Sequence, residues 1–171
     1  LEVLNKYLPV RLYFHNDNPN PRTRDTITNL NYTETYKSYT RLYNEYKREF
    51  SKGLKNEAKQ DALLEIEDLF SEKIDKGAAD LALFTPLLVK ELENGKSITL
   101  TIKGFASPLS KSDYNVNLTL RRVSSLINYL SEYKNGILLP YINGTAENGA
   151  QLEFIKVPFG EYQSATISDD L

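Results

Sequence analysis

Cysteine, methionine and tryptophan are absent from the 171 residues, and histidine occurs once, as His15. Without Cys there is neither a disulfide framework nor a thiolate metal site, so the redox compartment leaves no trace in the chain. A single His excludes a His-cluster metal centre and makes a His-based catalytic triad a poor expectation. No apolar run reaches the ~18 to 20 residues needed to cross a bilayer, so no membrane span is expected. Twenty-one Lys+Arg against 23 Asp+Glu leave a net charge of -2. That balance removes the broad positive field on which general nucleic-acid binding depends. The phosphate-loop, GxSxG, dinucleotide-glycine and HExxH patterns are missing too, and no reaction, cofactor or metal is expected. The missing Met and the opening Leu1-Glu2-Val3, which lacks a signal pattern, read as a piece of a longer protein.

What is present suits one domain spanning 1–171, since 40% hydrophobic residues can fill a single core at this length. Val10, Leu12 and Phe14 alternate with Arg11 and Tyr13, the period of a half-buried strand. The run His15-Asn16-Asp17-Asn18-Pro19-Asn20-Pro21-Arg22 then forces a loop. Tyr32, Tyr36, Tyr39, Tyr43, Tyr46 and Phe50 recur at intervals of four and three, which predicts one helix with a buried aromatic face, closed at Gly53. A second helix is expected over 57–76 and a third over 78–93, with Pro86 kinking it or marking a restart. Ile98, Leu100 and Ile102 alternate through a second strand over 97–103. A helix capped at Ser112 or Asp113 follows over about 115–133, and a last strand over 151–157. This order predicts an α/β (α+β) fold, a mixed sheet covered by helices.

The segment with chemical promise is Ile102-Lys103-Gly104-Phe105-Ala106-Ser107-Pro108, followed by Tyr114-Asn115-Val116-Asn117-Leu118-Thr119-Leu120-Arg121-Arg122-Val123. A strand delivers a Gly-bearing loop, and the next helix opens with Asn and paired Arg. This run resembles the core of the OmpA-like C-terminal domain family, in which a strand ending Gly-X-Thr-Asp leads to a helix carrying Asn-X-X-Leu-Ser-X-X-Arg-Ala. Val10–Phe14 and Leu152–Gly160 are similar to other strands of that family. The wording of the tyrosine helix and of Gly104–Leu109 is similar to a branch from Bacteroidota envelope proteins, some linked to type IX secretion.

The resemblance implies a βαβαβ mixed sheet with a helical insertion at about 32–76, in the C-terminal piece of a larger periplasmic protein associated with the outer membrane. It implies noncovalent binding of peptidoglycan through the diaminopimelate-containing stem peptide. Arg122 matches the arginine that grips the ligand carboxylate, and a guanidinium fork suits that task. Asn115 matches a polar residue that helps hold the peptide, and Gly104, Phe105 and Ala106 would form the pocket wall. Ser107 stands where the family has Asp. Losing that charge-assisted bond, worth about 1.5 to 3 kcal/mol, would weaken binding roughly tenfold to a hundredfold unless Asp17 or Asp113 reaches the ligand ammonium instead. The alternative reading is a docking module that binds another envelope protein through the tyrosine helix.

Overall fold

The computed structural model describes residues 2–106 and 112–161. They form helices α1 (Glu2–Asn5), α2 (Tyr32–Thr40), α3 (Tyr43–Ser51), α4 (Asn56–Asp68), α5 (Lys76–Glu93), α6 (Ser112–Glu132) and α7 (Leu139–Asn143), with strands β1 (Ile98–Ala106) and β2 (Leu152–Glu161). Leu69–Asp75 is a π-helical stretch that carries α4 into α5 without a break. The fold is therefore mixed, with many helices and one small sheet.

β1 and β2 are parallel, in register from Ile98 opposite Leu152 to Gly104 opposite Pro158. Parallel neighbours require a long crossover, which α6 and α7 supply, and α6 packs against both strands. The register slips between Gly104 and Phe105, where the partner moves from Pro158 to Gly160.

The main core joins Leu81, Phe84, Leu88 and Leu92 of α5 to Ile98 and Ile102 of β1 and to Val123, Leu126 and Leu130 of α6. Leu88 and Leu92 are fully buried, and each such side chain stabilises by about 1.5 to 3 kcal/mol. A smaller cluster joins Tyr39 to Ile66, Phe70 and Ile74, with Tyr43 and Tyr46 at its margin.

Four expectations are corrected. Val10, Leu12 and Phe14 are buried and Arg11 is exposed, as the alternation predicts, but the segment is extended chain with a single bridge at Arg11 instead of a third strand. The tyrosine helix is two helices. Leu42 N–H bonds the Tyr39 carbonyl, a tight turn that ends α2, and Tyr46 N–H starts α3 from the Leu42 carbonyl. The aromatic stripe is buried at Tyr32 and Tyr39 but ends in the open at Phe50, which is 58% exposed. Pro86 lies inside α5, which neither stops nor restarts there. Its missing N–H would have bonded the Ala82 carbonyl, and both residues are exposed, so that oxygen is open to solvent. The short helices α1 and α7 were not expected from the sequence.

Gly77 explains how α5 and the 10–14 segment come so close. A Cβ there would stand 2.1 Å from the Arg11 carbonyl oxygen, so only glycine permits the approach.

Candidate functional site

The C-terminal end of β1 rests on the first turns of α6. Gly104 makes this possible, because a Cβ on it would stand 2.9 Å from Cβ of Thr119 and 3.1 Å from its carbonyl oxygen. Gly104, Phe105 and Ala106 are all buried. Asn115, Thr119 and Arg122 follow at intervals of four and three, so they share one helix face. Asn115 is 1% exposed and Arg122 is 4% exposed.

The Arg122 guanidinium is held by backbone carbonyls. Its Nη1 donates to Phe105 at 2.9 Å, its Nε to Asn18 at 3.0 Å, and its Nη2 approaches His15 at 3.5 Å. The Phe14 ring lies beneath it, 5.2 Å from the guanidinium carbon. Arg122 thus ties three segments together: the end of β1, the end of the 10–14 segment and the loop beyond it.

Arg121 performs the same task one residue earlier, from a fully buried position. Its Nε donates to the Pro19 carbonyl at 3.0 Å, and its Nη1 donates to those of Thr23 at 2.9 Å and Asp25 at 2.8 Å. Its Nη2 has no hydrogen-bond partner and stands 3.8 Å from Asp17 Oδ1. That carboxylate accepts the Tyr114 hydroxyl at 2.5 Å and the Arg22 N–H at 3.0 Å.

The fastening continues along α6. Ser124 accepts the Thr28 N–H at 3.2 Å, and Asn128 donates to the carbonyls of Thr28 at 2.7 Å and Leu30 at 2.9 Å. Glu132 takes a 2.7 Å bond from the Asn31 side chain, while Asn31 caps α2 by accepting the Glu34 N–H. Arg121, Ser124, Asn128 and Glu132, at intervals of three and four, form one polar stripe. This stripe holds residues 19–31 by side chains where a β-ladder would have used backbone. The loop needs such support, since Asp17, Asn20 and Arg22 adopt left-handed φ angles of 59°, 54° and 62°, which are costly for residues other than glycine.

The structure therefore brings Arg122 and the Gly104–Ala106 end of β1 together, with Asn115 buried on the same face of α6. Asp17 lies nearby but is engaged with Tyr114 and Arg121. Asp113 faces solvent at the start of α6, with Oδ2 3.4 Å from Arg24 and Oδ1 accepting the Tyr114 N–H. Ser107 lies outside the described residues. Among the described residues no group of three or more His, Asp or Glu side chains could hold a metal ion, and no helix is long and apolar enough to cross a membrane.

The sequence reading missed the stripe of Ser124, Asn128 and Glu132. Its signal was a polar face on a helix that otherwise lies in the core, opposite a loop too rich in Asn and Pro to pair with a strand. It also missed the partners of the arginine pair, because backbone carbonyls carry no sequence signature.

Comparison of the chain with family models, curated proteins and solved structures finds no match. The fold and site define a mixed α and β chain with a loop latched to α6 by two buried arginines.

Proposed function

We propose that this chain is a noncatalytic binding module of the OmpA-like type, which anchors a larger envelope protein to peptidoglycan through the stem peptide. The observation that carries this reading is the packing of Gly104 and Phe105 against the α6 face that bears Asn115 and Arg122, Gly104, Asn115 and Arg122 being residues that match the family motif. Arg122 is buried and bonded to three carbonyls, so its part in this reading is to position the start of the polar loop, at His15 and Asn18, as the rim of the site. A ligand carboxylate would reach the guanidinium itself only by displacing one of those carbonyls.

The test is retention on purified peptidoglycan, with a diaminopimelate-containing stem peptide as competitor. The expected result is retention that the peptide abolishes and that Arg122→Ala reduces at least tenfold, with circular dichroism confirming that the variant folds. Equal retention of a folded Arg122→Ala variant removes Arg122 from this role. No retention of the parent chain removes the anchoring reading altogether.

One observation favours a second reading, docking to another envelope protein. The aromatic stripe ends at exposed Phe50 beside a cleft, and an uncovered aromatic side chain next to a hollow suits a partner surface.

A further inference from the structure

Beside the His15 loop, α3 borders a cavity of about 250 Å³ lined by His15, Leu42, Glu45, Tyr46, Glu49 and Phe50. Five of these six residues come from α3 or its N-cap. Leu42, Glu45, Tyr46, Glu49 and Phe50 recur at intervals of three, one, three and one, which sets them on a single face. The face offers two stacked rings, Tyr46 and Phe50, with centroids 5.7 Å apart, and two exposed carboxylates.

The basic residues of α3 lie off this face. Lys47 points to α4, where it pairs with Glu67 at 3.4 Å and lies over the Tyr43 ring. Arg48 falls roughly 120° around the helix from the middle of the cavity face. His15 closes the cavity from the opposite side and is tied by its Nδ1 to the Tyr46 hydroxyl. Burial, with a smaller push from Arg122, holds this imidazole below its ordinary pKa, against the opposing pull of Glu45. It is therefore neutral at pH 7 and does not repel a cation.

We propose that this cavity is a binding site for an aliphatic ammonium or guanidinium group, presented as the lysine or arginine side chain of a peptide. Aromatic faces attract a cation through their quadrupoles, Glu45 and Glu49 neutralise it, and Leu42 packs against the aliphatic stem. The site adjoins the end of β1 through His15, whose ring lines the cavity while its carbonyl faces Arg122, and it does not depend on the anchoring reading.

The probes are acetyl-Gly-Lys-Gly-amide, its arginine and norleucine counterparts, and n-butylammonium, titrated into the full chain and followed by the NMR signals of His15 and Tyr46. The lysine or arginine peptide should bind at least tenfold more tightly than the norleucine peptide. Glu45→Gln/Glu49→Gln should weaken binding about tenfold, the product of two solvent-screened ion pairs, and Phe50→Ala should weaken it further. Glu67→Gln, outside the cavity, should leave it unchanged. A cationic peptide tighter than n-butylammonium supports a peptide as the source, and equal binding of the two supports a free amine in the same site. Equal affinity for the norleucine peptide, or undiminished binding by the double Gln variant, overturns the proposal.

Discussion

Replacing Arg121 by Met removes the charge and three hydrogen bonds while keeping a side chain of similar reach. The three acceptors differ in what they lose. Pro19 is buried, Thr23 is half-buried and Asp25 is exposed, so water can replace the guanidinium fully only at Asp25. A buried acceptor stripped of a charged donor costs about 1.5 to 3 kcal/mol, and the two wetter ones about 0.5 to 1 kcal/mol each. Asp17 also loses its cation at 3.8 Å. The sum, about 3 to 5 kcal/mol, matches what breaking a buried charged network costs, and is a large share of the roughly 5 to 15 kcal/mol that holds a domain folded. Arg121→Lys should recover less than half of it, because one ammonium cannot span three carbonyls. Urea unfolding gives the stability change, and trypsin cleavage after Arg22 and Arg24 reports whether the loop has come off α6. A loss under about 1 kcal/mol with unchanged cleavage would refute the latch, since a loop held by other means would need neither bond nor charge.

Three further outcomes follow from the same geometry. Gly77→Ala places a carbon 2.1 Å from the Arg11 carbonyl and should destabilise by about 3 kcal/mol or more, the upper end of overpacking, measured by chemical denaturation. Pro86→Ala restores a helical N–H on the exposed face of α5 and should stabilise by about 2 to 2.5 kcal/mol, the helix-propensity gain of about 3 less the roughly 0.4 to 1 of entropy that proline removes from the unfolded chain; a loss of stability would show that the proline is needed for packing. The folded-state pKa of His15 is depressed, chiefly by burial. Between that value and the unfolded 6.5 the unfolded chain binds more protons, so the His15 contribution to stability is complete above pH 6.5 and is lost as pH falls through the window. His15→Gln should abolish that segment of the stability-against-pH curve, and an unaltered curve would show that another group titrates there.

Much of the fold could be read from periodicity. β1, β2, α5 and α6 fall close to the positions that their apolar spacing predicts, because in each the buried face is set by the backbone's own repeat. The 10–14 segment shows the limit of that reasoning. Alternation reports which side chains are buried, and Val10, Leu12 and Phe14 are buried against α5 and α6 without the ladder that would make them a strand. The continuous Tyr32–Phe50 stripe likewise concealed the break at Arg41-Leu42, since the intervals of three and four run straight through it. At Pro86 the helix does not restart, because the cost of a missing N–H depends on whether its carbonyl partner can reach water. At the end of β1, the nearness of Gly104, Asn115 and Arg122 was legible. Where the guanidinium points was not, for peptide carbonyls accept from a guanidinium as carboxylates do, and only the carboxylates are spelled by residue type.

The two arginines and Asn128 grasp the loop by its main chain. Seven of the eight oxygens they bond among the described residues belong to residues between 15 and 30, and none of these contacts reads a side chain. Alongside the side-chain bonds that Asp17, Asn20 and Thr28 make within the loop, these main-chain contacts hold its path without reading its letters, so an outward group such as Ile27 can be exchanged without re-laying the chain. A surface built in this way can change what it recognises while its scaffold stays as it is.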